Sequence, residues 1–515
     1  MSSDSIPATR EDEIMDETKD PNVVKVQVQA TAAPATIPTS HPITDLDLGV
    51  VAWDNQSDPQ NPLNFSNARK WGLLALVSSI SFVTPLASSM FAPAAGLMAE
   101  EFDEENLVVV SLSVSVFLLG FVVGPLILGP LSELYGRRVV LGSCNLFFFV
   151  WQIGCALAPN TASLIVFRLL AGIGGSGPLT LGGGIIADLF PIHKRGRAMA
   201  IWSLGPLVGP VVGPIAGGFV GQHLGWRWIY WVLAIASAAV SVGIEVLNQE
   251  TFAPVLIARK TKTLAKRLNR SDLRSYYQKQ DVAQDPAVLA MLMLALKRPF
   301  IIFVKSPIVF LLSMYMSVIY GLLYLFFTTI SPVFESEYGF SPQLSGLAYL
   351  GIGLGFFIGI AIFSATSDRT VIKLTARNSG RYEPEFRLRL VIGFSFVLPV
   401  SFFWYGWSVD RHAHWIVPIV GTIPFSLGMM NIFMPVQTYV VDCFNTYAAS
   451  AIATLTASRS LAGALLPLAG LPLYQNLGYG WGNSLLGFIA VACIPIPVFF
   501  TKYGKKMRER HSLVL

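Results

Sequence analysis

Charge is what this sequence has least of. Only 13% of its 515 residues are Asp, Glu, Lys or Arg, against roughly 25% in an ordinary soluble domain. That shortage excludes a water-soluble fold of this size, because 53% of the residues are apolar and water cannot cover them all. Cysteine is scarce too. Cys144, Cys155, Cys443 and Cys493 lie in or beside apolar stretches, and none forms a CxxC. This excludes a disulfide framework and a thiolate metal site, and leaves four small buried hydrophobes. The six histidines all fall outside the apolar runs and there is no HExxH, so no metal is expected. There is no GxxxxGK[ST]: the sole Gly-Lys is Gly504-Lys505, followed by Lys506, which excludes a phosphate-loop motor. No Ser/His/Asp set or acid pair stands inside an apolar run, which argues against an enzyme and any cofactor. The net charge of +5 is modest and follows the apolar runs, which gives no reason to expect nucleic acid. Residues 1–68 contain no apolar core of a signal peptide. They are polar and rich in Asp, Glu, Pro, Ser and Thr, and read as a disordered cytosolic tail.

What is present is a series of apolar runs, each near the ~20 residues a helix needs to cross a bilayer. There are twelve, at about 70–92, 107–130, 139–158, 162–187, 198–221, 227–248, 306–330, 344–366, 390–408, 415–440, 447–470 and 482–501. They predict an all-α membrane protein of twelve transmembrane helices in two six-helix halves, 69–250 and 306–501. A basic connection, 251–305, lies between the halves, and 502–515 forms a C-terminal tail. Ala287–Leu296 is too short to span and reads as an amphipathic helix on the membrane surface. With the N-terminus in the cytosol, 29 Lys and Arg flank the spans on the cytosolic side. Only Arg227 and Arg411 lie outside, so both termini are expected to be cytosolic. The halves echo each other: "ADLF" at 187–190 and "VDCF" at 441–444, and Gly209 and Gly463, share an offset of 254 residues. Two similar six-helix halves are the mark of transporters built around a central cavity.

Three stretches carry chemistry. "GPLSELYGRR" (129–138) puts Gly129, Glu133, Gly136, Arg137 and Arg138 into a tight turn between the second and third runs. The glycines allow close backbone approach and the arginines hold the turn inside. Glu133 can pair with a neighbouring arginine or with the positive end of a helix. In the fifth run, Gly205, Gly209, Gly213 and Gly217 repeat every four residues, interleaved with Pro206, Pro210 and Pro214. Such glycines line one helix face and admit a close neighbour, expected to be the symmetry mate in the other half. The prolines permit bending there. Arg168 and Arg459 lie inside runs, where a charge is costly and therefore a functional candidate. No carboxylate sits centrally in any run, so no proton site is legible. Tyr315, Tyr320 and Tyr324 of the seventh run, and Asn431 and Gln437 of the tenth, are candidates to line a wet cavity for an amphipathic ligand. Lipid-interface tyrosines and helix–helix hydrogen bonds are the alternative roles for them.

These stretches resemble the major facilitator superfamily, and specifically its fungal drug–proton antiporters with twelve transmembrane helices. "GPLSELYGRRVVL" (129–141) is similar to the family's motif A, "GPLVGPVVGPIAGG" (205–218) to its antiporter motif C, and Arg168 in "FRLLAGIGGSG" (167–177) to its motif B. "WDNQSDPQNPLNFSNARKW", "ETFAPVL", "YEPEFRL" and "ASAIATLTASRSLAGALLPL" resemble the fungal branch, so the likeness covers about 53–508. The family usually has Asp where this chain has Glu133. The resemblance implies the major facilitator fold and a proton-coupled exporter of a drug, toxin or secondary metabolite working by alternating access. Glu133 would latch the cytosolic gate, and Arg168 would serve proton transfer. It further implies a monomer in the lipid bilayer of the plasma membrane, with the vacuolar membrane as the alternative. A carrier of an anionic metabolite and a transporter-like sensor are the competing readings.

Overall fold

Hydrogen-bonding side chains mark where several helices begin. Ser66 accepts from the Arg69 N–H at 3.4 Å, Asn106 from Val108 at 3.0 Å, Asn160 from Ser163 at 2.9 Å and Ser306 from Val309 at 3.4 Å. Each satisfies a donor that the first helical turn leaves without a partner. The computed structural model describes residues 41–247, 249–277, 293, 297, 300–379, 381–444 and 448–510.

Among these residues, the first six spans are Asn67–Phe102, Leu107–Tyr135, Arg137–Ala156, Thr161–Leu189, Ile192–Leu224 and Trp226–Leu247. The next four are Pro307–Tyr338, Pro342–Arg377, Pro384–Asp410 and Ile416–Cys443. Ala451–Arg508 follows as 58 nominally continuous residues. A single helix of that length would reach about 87 Å, far beyond a ~30 Å hydrocarbon core. Gly478, with φ 72° and ψ 174°, breaks it into the eleventh and twelfth spans. Twelve spans result, as the sequence predicts. They are longer than the apolar runs because several continue as polar helix past the membrane: the eighth reaches Arg377 and the twelfth reaches Arg510. The last span is thus helical where a tail from 502 was expected. Lys505 pairs with Glu383 at 2.7 Å and Arg508 with Glu385 at 3.4 Å, which fixes it to the start of the ninth span.

The end of the molecule that carries the Arg137–Arg138 turn and both span termini is the basic end. Here the reading of 1–68 as disordered needs correction from residue 42 onward; residues 1–40 lie outside the described residues. A strand β1, Val50–Val51, pairs in parallel with β2, Arg274–Ser275. A short 3-10 turn, Pro62–Asn64, follows under the cap of Asn61. Trp53 and Asp58 are both 2% exposed. The segment docks on the connection, which forms a helix at Ala253–Leu268. Lys260 of that helix reaches Asp54 at 2.7 Å and Asp58 at 3.6 Å. Burial alone would raise the Asp58 carboxyl, but the N–H groups of Asp54 and Gln60 and the Lys260 ammonium outweigh it and hold it below the usual aspartate value. Polar composition hid this fold because its core is small, a few apolar side chains such as Val51, Trp53 and Phe65 beside the hydrogen-bonded Asp58 and Asn61. The surface helix expected at Ala287–Leu296 lies outside the described residues, save Met293.

Within each half the pairings repeat. The fifth span packs along the first and the eleventh along the seventh. At the basic end Arg137 meets Asp188 at 3.4 Å, and Arg387 meets Asp442 at 2.5 Å in the matching corner of the second half. Three hydrogen bonds join the halves among the described residues: Ser88 with Tyr324 at 2.9 Å, Ser115 with the Ala464 carbonyl at 2.8 Å, and His223 with Gln343 at 3.1 Å. None of the three lies at the basic end.

Candidate functional site: the basic turn, the contact between the halves and two intramembrane arginines

The turn between the second and third spans is built around Gly136. Its φ of 100° suits glycine, and a Cβ there would come within 1.9 Å of a Glu250 oxygen. That vacant space seats the Glu250 carboxylate on the N-terminus of the third span, where it accepts the Arg137 N–H at 2.8 Å. The same oxygen accepts the N–H groups of Thr251 and Phe252, each at 3.0 Å. An acid at this end of a helix interacts favourably with its dipole. The Arg137 guanidinium binds Asp188 and the Ser132 hydroxyl and lies over the Phe252 ring at 4.5 Å. Arg138 reaches Glu245 at 3.4 Å. Gly129, by contrast, has room for a methyl group, the nearest atom being Thr180 Cγ2 at 3.9 Å.

Glu133 does not make the arginine pair expected of it. It is exposed and has no hydrogen bond or ion pair among the described residues. The acids that hold the turn in this conformation are Asp188, Glu245 and Glu250. Glu250 sits in the "ETFAPVL" stretch, and only its position after the sixth span could have signalled it.

The glycine stripe of the fifth span does admit a close neighbour, but the neighbour is the first span of the same half. A Cβ at Gly209 would lie 2.8 Å from the Phe82 carbonyl oxygen, and one at Gly217 only 1.7 Å from that of Met90. The prolines contribute acceptors. Pro214 has no N–H to give the Pro210 carbonyl, and the Ser89 hydroxyl donates to that carbonyl at 2.9 Å. Pro206 adds no such bond among the described residues. The other half meets a different face of this span. A Cβ at Gly218 would approach the Pro342 oxygen at 2.5 Å, and one at Gly346 the Pro214 oxygen at 2.6 Å, while Val211 fills the place of a Gly353 side chain.

Toward the basic end this face loses its cover. Leu204 and Val208 lie seven and three residues before Val211, so they continue its stripe. Leu204 is 47% exposed. With Ser78, Phe82 and Ile201 they line a groove of about 400 Å³. That groove is lined by the first and fifth spans, whereas the fifth and eighth touch at the opposite end of the molecule, the acidic end, which carries Glu100, Glu101, Asp103, Glu104 and Glu105. At the acidic end Glu335 accepts from Ser345 at 3.0 Å and stands 4.0 Å from where a Gly96 Cβ would be. It is a carboxylate at the junction of the halves that the sequence reading passed over.

The remaining candidates separate cleanly. Tyr315 hydrogen-bonds Ser395 at 2.7 Å inside the second half, and Asn431 ties the tenth span to the Gly359 carbonyl of the eighth at 3.1 Å. Both brace helices. Gln437 is half-buried with no contact that assigns it a role. Arg168 is 1% exposed. Its guanidinium donates to the Val114 carbonyl at 2.9 Å, the Ser88 carbonyl at 3.4 Å and the Tyr230 hydroxyl at 3.0 Å. It clamps the first, second, fourth and sixth spans. Arg459 has no such partners. It lies over Phe433 at 4.6 Å and Tyr320 at 5.1 Å, and the Tyr324 ring lies tilted beside Tyr320 at 5.2 Å.

Comparison with known proteins agrees with this architecture. Residues 77–467 match the model of the Major Facilitator Superfamily. The chain is 50% identical over 462 residues to the MFS-type transporter penM of Penicillium rubens, covering 90% of each. It is 46% identical over 470 residues to the MFS transporter cpaT of Aspergillus oryzae, covering 91% of this chain and 93% of that one. Among solved structures, it superposes on the partially occluded inward-open xylose transporter XylE from E. coli with a TM-score of 0.61 at 15% identity, covering 85% of this chain and 98% of that one.

Proposed function

The chain belongs to the Major Facilitator Superfamily, and on that premise we propose that it is a proton-coupled exporter of a small organic compound. It works by alternating access in the plasma membrane, with the basic end in the cytosol. The observation that carries this reading is the asymmetry between the ends. The halves are hydrogen-bonded away from the basic end, while the face of the fifth span is open toward it. A transporter loading from the cytosol needs this arrangement. Rocking the halves about the central contacts would close the groove and part Gly218 from Pro342.

The gating turn fits that motion. Arg137, Asp188 and Glu250 hold it rigid as one body with the first half. Glu133, unpaired while the basic end is open, is available to a helix N-terminus of the second half when that end closes. Arg168 holds four spans together, which supports a positioning role in the first half. Glu335, at the closed junction, is the carboxylate whose protonation would bear on opening the acidic end.

The test is transport by the purified protein in sealed vesicles under an imposed pH gradient. The cargo is the metabolite that cells lacking the protein retain. The reading expects uphill movement that stops when a protonophore collapses the gradient. Movement indifferent to the protonophore would reject proton coupling, and no movement would reject export.

A further inference from the structure

The two arginines inside the membrane form a natural comparison. Both sit in helical spans, Arg168 buried and Arg459 half-buried, and neither faces a carboxylate among the described residues. Arg168 is nonetheless served at both terminal nitrogens, where two backbone carbonyls and a tyrosine hydroxyl take its protons, and only its Nε is buried without a partner. Arg459 is not. Its Nε and Nη1 are both buried without a hydrogen-bond partner. What surrounds it is the flat faces of Phe433 and Tyr320. Rings steady a cation through their quadrupole but offer its N–H groups no lone pair, only the weak acceptor of a π face. A guanidinium carries five donors in a fixed fork and is always charged. Leaving two of its nitrogens unserved inside a membrane protein is costly, and a charge kept only to brace helices would have its terminal nitrogens satisfied as those of Arg168 are.

The position of Arg459 adds to this. It lies one turn before Gly463, where a Cβ would touch Leu118 of the first half at 2.9 Å and Tyr320 at 3.0 Å. Tyr324, beside Tyr320, reaches across to Ser88 of the first half at 2.9 Å. Arg459 is therefore in the layer where the two halves meet, the place a carried compound must pass. By the sequence, 29 of the 36 Lys and Arg residues belong to the side through which such a compound enters, a field that concentrates anions.

We propose that Arg459 anchors an anionic group of the cargo, a carboxylate or an acidic enol, with the rings of Tyr320 and Phe433 packing against the apolar body attached to it. The transported class is then organic acids. The fork of Arg459 binds the two acidic oxygens, and the unserved nitrogens are the cargo's vacant partners. This rests on the transporter reading above and narrows it.

The test uses three compounds of one shape: 1-naphthoate, 1-naphthamide and 1-naphthylmethylammonium. Each is titrated against the full-length protein in lipid nanodiscs, by equilibrium binding. The parent should prefer naphthoate over naphthamide by about 10- to 100-fold, the ratio that hydrogen bonds to a charged group supply, and should bind the cation least. Arg459→Gln should remove the preference and leave naphthamide binding unchanged, and Arg459→Lys should retain part of it. The Arg459→Gln protein should melt no lower than the parent, because no hydrogen bond is lost. Equal binding of naphthoate and naphthamide, binding of none of the three, or a preference that survives Arg459→Gln would overturn the proposal. The two readings fail differently. A charge preference in a protein that moves nothing under a pH gradient would keep the anion site and end the exporter. Gradient-driven movement of neutral compounds with no charge preference would do the reverse.

Discussion

Replacing glycines of the fifth span one at a time by alanine should produce a graded loss whose order is written in the contacts with the first span. A Cβ at Gly205 would meet the Phe82 N and the Ser78 oxygen at 3.0 Å each, a contact that a small shift relieves. At Gly209 the nearest atom is the Phe82 oxygen at 2.8 Å. At Gly213 it is the Ser89 hydroxyl at 2.4 Å, with the Leu86 oxygen at 2.9 Å behind it. At Gly217 it is the Met90 carbonyl oxygen at 1.7 Å, which cannot move unless the two helices separate. Against each clash stands the gain of about 0.5–1 kcal/mol from replacing a helical glycine by alanine. Overpacking costs about 1–3 kcal/mol, occasionally more. Gly205→Ala should then come out near neutral, Gly209→Ala and Gly213→Ala should lose about 1–2 kcal/mol after that offset, and Gly217→Ala should be the most severe. Gly72→Ala and Gly393→Ala are the controls, since no atom lies within 4 Å of either Cβ. They should gain about 0.5–1 kcal/mol. Thermal melting of the purified variants reads the order, with transport as a second column. A flat series, or Gly205→Ala worse than Gly217→Ala, would refute the close packing of the first and fifth spans.

The docked segment at 42–66 should respond to acid. The Asp58 carboxyl is held below its usual value, so its contribution is fully present at neutral pH and is lost as pH falls through that lowered value, below about 4. Proteolytic protection of residues 42–66 should fade over that window in the parent, and Asp58→Asn should lack it at pH 7; a profile identical in both would remove Asp58 from the account. Arg168→Gln should destabilise by about 1–3 kcal/mol for each buried group it leaves unserved, whereas Arg459→Gln should not destabilise, so equal melting losses would erase the distinction between them. Glu133→Gln should leave melting within about 0.5 kcal/mol of the parent, as for an exposed residue. It should nonetheless slow transport by shifting the open and closed populations about 2- to 30-fold; normal transport would mean the turn is held by Asp188 and Glu250 alone.

Much of this molecule was legible in its sequence, and the limits of that legibility have physical causes. Spans were readable because a bilayer demands long apolar runs, but their ends were not. Past the membrane the eighth and twelfth spans continue as polar helix, which composition does not separate from loop. The glycine spacing of the fifth span gave the packing face correctly and the partner wrongly. A four-residue stripe says how closely something approaches, and tertiary structure alone says what approaches. The turn at 129–138 was legible, yet of the two partners open to Glu133, an arginine or a helix N-terminus, it meets neither here, and the arginine is paired instead by Asp188 and the helix N-terminus by Glu250. Those acids are 51 and 113 residues from Arg137. Residues 42–66 were dismissed on average polarity, although Trp53 and the Asp58 and Asn61 turns are what a small hydrogen-bonded fold uses. Arg168 and Arg459 looked alike as intramembrane charges. Only the count of acceptors around each separates a clamp from a vacancy.

The central claim is that the halves must part at the acidic end for the cargo to leave. Cysteines placed at His223 and Gln343, whose side chains meet across that junction at 3.1 Å, can be bridged by a short bis-methanethiosulfonate, which forms a disulfide to each thiol and releases a sulfinate from each. Cys443 and Cys493 would first be replaced, since both are only half-buried. The account predicts that bridging stops movement of the retained metabolite in vesicles and that reductive cleavage of the bridge restores it. Transport at the parent rate with the bridge intact would contradict alternating access at this junction.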